Sequence, residues 1–159
     1  MTFSRRLVLA LVPGFMLTAV ARAAKAYEVT RTEAEWKALL TPQQFEVLRK
    51  AGTERPYSSP LDKEKRAGVF ACAGCKLPLF SSAAKFDSGT GWPSFYKPLA
   101  NAVEKEADNS LGMSRDEVLC RRCGGHLGHV FDDGPKPTGL RYCMNGLALT
   151  FEPGSAPPV

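Results

Sequence analysis

The spacing of the cysteines constrains this chain more than any other sequence feature. Four of the five cysteines form two Cys-x-x-Cys pairs, Cys72/Cys75 and Cys120/Cys123, and the fifth, Cys143, stands alone. Each pair closes a tight turn that directs two thiolates at one point, so two pairs supply the four ligands of a tetrahedral zinc site. Four protein ligands leave no open position for water, and the single zinc ion is therefore expected to be structural.

Two other interpretations of the paired cysteines remain open. The pairs could form disulfides, or one of them could be a redox-active Cys-x-x-Cys, and an oxidising compartment would favour both. Zinc is favoured because one redox pair does not require a second matching pair. Loss of any ligand is then expected to destabilise the fold, since the binding energy of the metal is also folding energy.

Residues 1–26 have the three-part order of a secretory signal. Arg5 and Arg6 precede the apolar stretch Leu7–Val20, and small-residue cleavage patterns follow at 21–23 and 24–26. The apolar stretch is short for a membrane-spanning helix, although an uncleaved anchor or a buried core helix is the alternative. The arginine pair also resembles a twin-arginine export signal. We expect an exported protein, periplasmic or extracellular in a bacterium.

Removal of this signal makes the chain nearly neutral. The whole sequence carries 21 basic and 16 acidic residues, and 17 basic residues remain once the four in the signal are removed. The basic character therefore gives no evidence of nucleic-acid binding. Residues 27–159 contain no repeat or linker, and their number suffices for one domain with a single core.

Local signals predict two short helices followed by many short strands. Capping boxes begin at Thr32 and Thr41, Pro42 suits a first helical position, and Gly52 is expected to end the second helix as a left-handed residue. From Gly68 onward, short apolar runs separated by turn residues favour a mainly β (α+β) fold with antiparallel pairing. The tail after residue 152 is expected to fray. The predicted strands are Gly68–Cys72, Leu77–Ser81, Ala100–Glu106, Asp116–Cys120, His129–Phe131 and Leu147–Phe151.

Cys143 is the one thiol that the zinc interpretation leaves free for chemistry. A lone cysteine is often a small buried apolar residue. Here, however, both histidines of the chain, His126 and His129, follow the second cysteine pair, and Arg141 lies two residues before Cys143. A cation lowers the pKa of a nearby thiol, and histidines can donate a proton to a departing oxygen. The alternative is a pair of surface or hydrogen-bonded loop histidines.

A loop tryptophan is the remaining candidate site residue. Trp92 stands between Gly91 and Pro93. It is either a core residue or an aromatic wall for a small apolar group.

Four motifs in a fixed order give the chain a family resemblance. CAGC, FDSGTGWPSF, CRRCGGHLGHVFDDGP and RYCMNG resemble the motifs of methionine-R-sulfoxide reductases of the B type, over about Thr32 to Glu152. The resemblance implies two antiparallel β-sheets with short N-terminal helices, and zinc at the two cysteine pairs. It also implies an oxidoreductase that reduces methionine-R-sulfoxide, peptide-bound or free, to methionine.

The resemblance assigns the chemistry to a small set of residues. Cys143 attacks the sulfoxide sulfur and is left as sulfenic acid. His126 and His129 orient and protonate the sulfoxide oxygen, while Asn145 and Arg141 stabilise the site through a hydrogen bond and a charge.

Substrate binding falls to three further residues. Trp92 is expected to hold the terminal methyl group, and Phe131 and Asp133 are assigned to the same pocket, with Asp133 also orienting the histidines. The chain departs from the family pattern at two positions. Thr90 stands where some members have a cysteine, and Gly146 replaces a usual serine, which is expected to loosen the turn.

No cysteine remains to form a disulfide with Cys143. We therefore expect an external thiol, from a thioredoxin-like protein or a small molecule, to reduce its sulfenic acid, and we expect a monomer. Two other functions are weighed against this one. A zinc-ribbon module that only docks partners predicts no effect of Cys143→Ser, and a general thiol–disulfide oxidoreductase predicts a cycling Cys-x-x-Cys without metal.

Overall fold

The computed structural model describes residues 26–109 and 114–159. The predicted signal therefore lies outside the described residues, apart from residue 26, and export and the domain boundary at 27 stay predictions. Within the described part of the chain, no helix is both long enough and apolar enough to cross a membrane.

Both predicted helices are present, and their capping boxes are confirmed. Helix α1 (Glu33–Leu39) follows Thr32, whose backbone N–H donates to the Glu35 carboxylate at 2.8 Å while its hydroxyl accepts from the Glu35 N–H. Helix α2 (Pro42–Lys50) begins in the same way at Thr41. These side chains satisfy N–H groups that a helix leaves without an internal partner.

The left-handed residue that ends α2 is Ala51, with φ 53° and ψ 35°, so the prediction of Gly52 is wrong by one residue. The chain turns directly after the last helical residue, and the Gly52 N–H donates back to the carbonyl of Glu46 at 3.0 Å. A Cβ atom at position 52 would lie 3.0 Å from the same carbonyl oxygen. Gly52 thus provides room for this close approach, while Ala51 adopts the left-handed conformation.

Two antiparallel sheets are present, which confirms the predicted fold class. A three-stranded sheet has the order β2-β1-β9, and a six-stranded sheet has the order β3-β4-β8-β7-β6-β5. The strands in chain order are β1 (Gly68–Cys72), β2 (Pro78–Ser81), β3 (Lys85–Phe86), β4 (Ser94–Phe95), β5 (Val103–Asp108), β6 (Arg115–Cys120), β7 (His126–Phe131), β8 (Arg141–Met144) and β9 (Leu149–Pro153).

Three of these strands were not predicted, and the one that matters for the site is β8. Strands β3 and β4 have two residues each, too few to show an alternating pattern. Strand β8 is the tetrapeptide Arg-Tyr-Cys-Met, with only Tyr142 and Met144 buried. It contains Cys143 and lies between β4 and β7 in the larger sheet.

The two sheets meet through an aromatic core. Phe70 of β1 and Phe80 of β2 both contact Phe95 of β4, with ring centroids 4.9 and 4.3 Å apart. The Tyr142 ring on β8 lies 5.9 Å from that of Phe80. Neighbouring residues of a strand point to opposite faces, so burial of Tyr142 in this core directs Cys143 to the other face of the sheet.

The C-terminal tail is held against the smaller sheet instead of fraying. Strand β9 extends to Pro153, two residues beyond the end of the predicted strand Leu147–Phe151. The hydroxyl of buried Ser81 on β2 donates to the carbonyl of Pro157 at 2.7 Å. The tail therefore has a specific partner in the fold.

Candidate active site

The four paired cysteines meet at one point. Their sulfur atoms all lie within 4.8 Å of one another, with the closest pairs, Cys75/Cys120 and Cys72/Cys123, at 3.5 and 3.8 Å. These distances far exceed a disulfide bond, and all five cysteines are free, so the disulfide alternative has no support. Four thiol donors at this separation can bind one metal ion.

Helix α2 and a neighbouring arginine brace this cluster. The Arg49 guanidinium donates to the carbonyl of Cys123 at 3.0 Å, and that of Arg122 donates to the carbonyl of Cys75 at 3.3 Å. Both bonds fix the main chain of the cysteine turns. Because β7 begins at His126, three residues after Cys123, the cysteine cluster also fixes the start of the histidine strand.

Each histidine is paired with a carboxylate from another strand of the larger sheet. His126 Nδ1 lies 2.6 Å from Glu117 of β6, and His129 Nε2 lies 2.9 Å from Asp108 at the end of β5. The two imidazole rings pack edge to face, with centroids 5.5 Å apart. A carboxylate on one ring nitrogen fixes the tautomer and the orientation of the ring.

Asp133, which we expected to orient the histidines, pairs instead with Arg141. Its two carboxylate oxygens accept from Nε and Nη2 of Arg141, both at 2.8 Å. The Arg141 guanidinium in turn lies 4.4 Å from the centre of the Phe131 ring. Glu117 and Asp108 therefore hold the position predicted for Asp133 beside the histidines.

The register of the sheet places Cys143 between two polar residues. On β8 it is the direct partner of His129 on β7 and of Ser94 on β4. The Thr90 hydroxyl lies 3.9 Å from the Cys143 sulfur, and hydrogen bonds of 2.8 and 2.7 Å continue from Thr90 through Ser88 to Ser94. The thiol thus lies at the end of a chain of hydroxyl groups.

Burial raises the pKa of the Cys143 thiol above its usual value, because the charged form loses solvation. The Thr90 hydroxyl and the Arg141 guanidinium both lower this pKa, but the effect of burial is larger. The expectation that Arg141 leaves the thiol with a lowered pKa is therefore wrong in its net direction. The resting thiol is mainly protonated near neutral pH.

Burial also lowers the pKa of His129, which favours the neutral imidazole. The hydrogen bond to Asp108 opposes this shift, while the charge of Arg115 reinforces it. Asp108 pairs with Arg115 as well, at 2.6 Å. His129 is consequently a neutral, oriented ring next to a cation near neutral pH.

Most of the predicted catalytic and substrate-binding residues line a single cavity of about 150 Å³. Trp92, His129, Phe131, Cys143 and Asn145 belong to it, and the other lining residues are Thr53, Arg115 and Gly128. His126 is packed behind His129 and is only 4% exposed, and its buried Nε2 has no hydrogen-bond partner among the described residues. Arg141 and Asp133 do not line this cavity.

The turn after Cys143 is tight, contrary to the loosening expected from Gly146. A Cβ atom at position 146 would overlap Oγ and Cβ of Ser59. The Gly146 N–H also donates to the Glu54 carboxylate at 2.6 Å. Glycine is thus required by the packing of Ser59 against this turn.

Several residues of the site were missed in the sequence. Arg115 and Glu117 alternate along β6 beside the histidine strand, and this alternation is a signal that could have identified them. Asp108 belongs to no recognisable motif, and it becomes relevant only because the pairing of β5 with β6 places it opposite Arg115. Glu54 lies in a loop, and its local sequence gives no sign of a role.

Comparison with known proteins agrees with this geometry. The model of the SelR domain matches residues 40–153. A peptide methionine sulfoxide reductase MsrB of Leptospira interrogans is 52% identical over 127 residues, covering 79% of this chain and 97% of that protein. Proteins of the same name from Pseudomonas putida (54% over 127 residues, 79% and 96% covered) and Thiobacillus denitrificans (55% over 124 residues, 77% and 94% covered) are similarly related. The chain therefore belongs to the SelR-domain family of B-type methionine-R-sulfoxide reductases.

Proposed function

We propose that this protein reduces methionine-R-sulfoxide in peptides to methionine, with Cys143 as the nucleophile. The observation that carries the proposal is the shared cavity of Cys143, His129, Trp92 and Asn145. It places a thiol, a titratable ring and an aromatic wall around one small volume. Family membership supports an oxidoreductase that acts on peptide methionine sulfoxide.

The reaction moves one oxygen atom from substrate to enzyme. The Cys143 sulfur forms a bond to the sulfoxide sulfur. The oxygen then bonds to the Cys143 sulfur while the sulfur–sulfur bond and the substrate sulfur–oxygen bond break, which leaves methionine and a cysteine sulfenic acid. The substrate sulfur is reduced by two electrons and the Cys143 sulfur is oxidised by two. The proton that leaves the thiol ends on the transferred oxygen, so atoms and charges balance.

Proton transfer is assigned to the histidine pair. His129 lines the cavity, and its Nε2–H donates to Asp108, so Nδ1 of the neutral ring is the atom that we assign to accept the Cys143 thiol proton and pass it to the sulfoxide oxygen. His126, fixed by Glu117, supports the ring of His129 from behind. Because burial raises the pKa of Cys143, protonation of the substrate oxygen must accompany attack by the sulfur.

The aromatic residues of the cavity suit the apolar end of the substrate. We assign Trp92 and Phe131 to the S-methyl group and Asn145 to a hydrogen bond with the substrate. Asp133 acts at one remove, through its ion pair with Arg141, whose guanidinium packs on the Phe131 ring and lowers the pKa of Cys143.

The four-cysteine cluster suits zinc, because four thiolates in a tetrahedral set are typical of a structural zinc ion. Cys72, Cys75, Cys120 and Cys123 would hold the ion, whose role is to stabilise the fold. With these four thiols committed to metal, an external thiol regenerates Cys143, supplied by a thioredoxin-like protein or a small molecule. We further propose a monomer that is exported to the periplasm or beyond.

Turnover of the separated R and S epimers, free and within a peptide, tests this function. Wild type is expected to reduce the R epimer and to leave the S epimer unchanged. Cys143→Ser is expected to retain its metal and its circular dichroism while losing turnover by at least about 1,000-fold, since no nucleophile of comparable strength remains. An active Cys143→Ser variant would overturn the proposal and favour a reaction at the paired cysteines.

The intermediate is tested by a sulfenic acid trap after one turnover without reductant. A single adduct on Cys143, located by mass spectrometry, is expected. An intramolecular disulfide in its place would contradict both the external reductant and the metal assignment.

A further inference from the structure

Glu54 joins two side chains of the active-site cavity through its main chain. The residue follows α2 in a loop and is only 7% exposed. Its backbone N–H donates to the side-chain oxygen of Asn145 at 3.0 Å, and its carbonyl accepts from the Trp92 indole N–H at 3.2 Å. The indole N–H of Trp92 and the side-chain oxygen of Asn145, which line one cavity, therefore share one partner residue, while Nδ2 of Asn145 donates to the Leu127 carbonyl at 3.2 Å.

The carboxylate of Glu54 fixes the same loop to the turn after β8. One oxygen accepts from the Gly146 N–H at 2.6 Å, and the other accepts from the Leu147 N–H at 2.8 Å. Each oxygen thus has its own backbone donor, and an ionised carboxylate supplies both acceptors. Burial raises the pKa of Glu54, while these two donors act against that shift. A Cβ atom at position 146 would lie 3.2 Å from the carboxylate, so glycine there permits this close contact.

These four hydrogen bonds connect a loop outside both sheets to the ends of two paired strands. Trp92 precedes β4, Asn145 follows β8, and Glu54 belongs to neither sheet. The carboxylate determines where the Glu54 main chain lies, and the main chain determines where the indole and the amide are held. A small displacement of Glu54 therefore moves both groups relative to the Cys143 sulfur.

We propose that Glu54 is a positioning residue for the sulfoxide reaction, acting through Trp92 and Asn145. The inference rests on the proposed function of the Cys143 cavity. Catalysis depends steeply on such placement, and a displacement of about 1 Å costs about 100-fold in rate.

The test variant is Glu54→Gln, which keeps the size of the side chain but replaces one acceptor by an N–H₂ group facing a backbone N–H. With peptide methionine-R-sulfoxide as substrate, KM is expected to rise and kcat to fall, with kcat/KM reduced about 10- to 100-fold. Glu46→Gln, at an exposed position on α2, makes the same charge change and is expected to behave as wild type. A purely structural role would lower the active fraction, and hence kcat, without changing KM.

A second measurement, the fluorescence of Trp92, reports on its environment without substrate turnover. In a Trp36→Phe background, Trp92 is the remaining tryptophan, and Glu54→Gln is expected to shift its fluorescence emission to longer wavelength. In a Trp92→Phe background, Glu54→Gln is expected to have a smaller effect on KM, because the indole contact is already lost. Glu54→Asp keeps the charge on a shorter side chain. The same measurements are made on this variant if Glu54→Gln fails to fold.

Unchanged KM, kcat and Trp92 emission in a folded, metal-containing Glu54 variant would overturn this inference. Failure of the wild type to reduce the R epimer would instead overturn the proposed function. The two failures are distinct, since the emission of Trp92 reports on its hydrogen bond in the absence of substrate.

Discussion

The Thr90 hydroxyl lies 3.9 Å from the sulfur of Cys143, at the end of a chain of hydroxyl groups that begins at Ser94. A hydrogen bond to a thiolate favours the charged form, so this contact lowers the pKa of Cys143. Burial acts in the opposite direction and outweighs it. Thr90 thus partly offsets the rise in the Cys143 pKa that burial causes.

Thr90→Val is expected to move the pH dependence of Cys143 alkylation upward. In wild type the midpoint lies above that of a free cysteine, because the pKa is raised, and removal of a group that lowers the pKa raises it further. At a fixed pH below the midpoint, the variant therefore reacts more slowly with iodoacetamide. Alkylation is followed by mass spectrometry of the Cys143 peptide, with Thr138→Val as a control, and a wild-type midpoint below that of free cysteine would refute the expectation.

Thr90→Cys is expected to change how the enzyme is regenerated. A thiol in place of the Thr90 hydroxyl lies close enough to Cys143 that side-chain rotation can bring the sulfurs to the disulfide distance of about 2.05 Å. After one turnover, the variant should contain a disulfide between the introduced thiol and Cys143, where wild type retains a sulfenic acid. Non-reducing mass spectrometry distinguishes the two, and persistence of a trappable sulfenic acid in the variant would argue against this proximity.

Glu117→Gln is expected to lower kcat about 100-fold, because general acid catalysis contributes about 100- to 10,000-fold and His126 loses its orienting carboxylate. Asp133→Asn is expected to lower it less than about fivefold, since the Asp133 side chain is 59% exposed and ion pairs to a carboxylate that faces solvent contribute about 1 kcal/mol or less. Steady-state rates of both variants with the R epimer provide the measurement. Equal losses would mean that Asp133 shares the role assigned to Glu117.

Gly146→Ala is expected to reduce the free energy of unfolding by about 1–3 kcal/mol, the usual cost of overpacking. The added Cβ would overlap Oγ and Cβ of Ser59. Ser59→Gly removes both atoms that the new methyl group meets, so Gly146→Ala should cost less in that background. Urea denaturation of the four proteins measures the coupling, and strictly additive effects would exclude a contact between these positions.

Removal of the metal is expected to unfold the domain. Structural zinc contributes about 10–16 kcal/mol of binding free energy, comparable with the roughly 5–15 kcal/mol that separates folded from unfolded domains. Cys75→Ser, or treatment of wild type with a chelator, should abolish the cooperative thermal transition seen by circular dichroism. Cys143→Ser, which leaves the cluster intact, is the matched control, and a native transition in metal-free protein would contradict a structural role.

The clustering of the four cysteines and much of the cavity could be predicted from the sequence because their signals are local. The two residues between the cysteines of each pair determine the local turn, and short sequence motifs surround Trp92 and Cys143. Capping boxes at Thr32 and Thr41 are likewise contained within four residues. Such features require no knowledge of how distant segments meet.

The supporting residues could not be predicted because sheet register and loop packing determine their contacts. Glu117 reaches His126 only through the pairing of β6 with β7, and that pairing contains an irregularity between Val118 and Leu119. Glu54 lies 91 residues from Asn145 in sequence, yet the two share a buried hydrogen bond. Asp133 was assigned to the histidines through the family resemblance, and its observed partner is Arg141, eight residues away.

The position of Cys143 at the centre of the larger sheet also determines the order of events in catalysis. Strands β4 and β7 flank it on either side, and the cavity of about 150 Å³ is shared with Trp92 and His129. In the proposed reaction, a sulfoxide and a reducing thiol must both reach the Cys143 sulfur through this cavity. We therefore expect methionine to depart before the reductant arrives, in a double-displacement reaction whose two partners compete for one entrance.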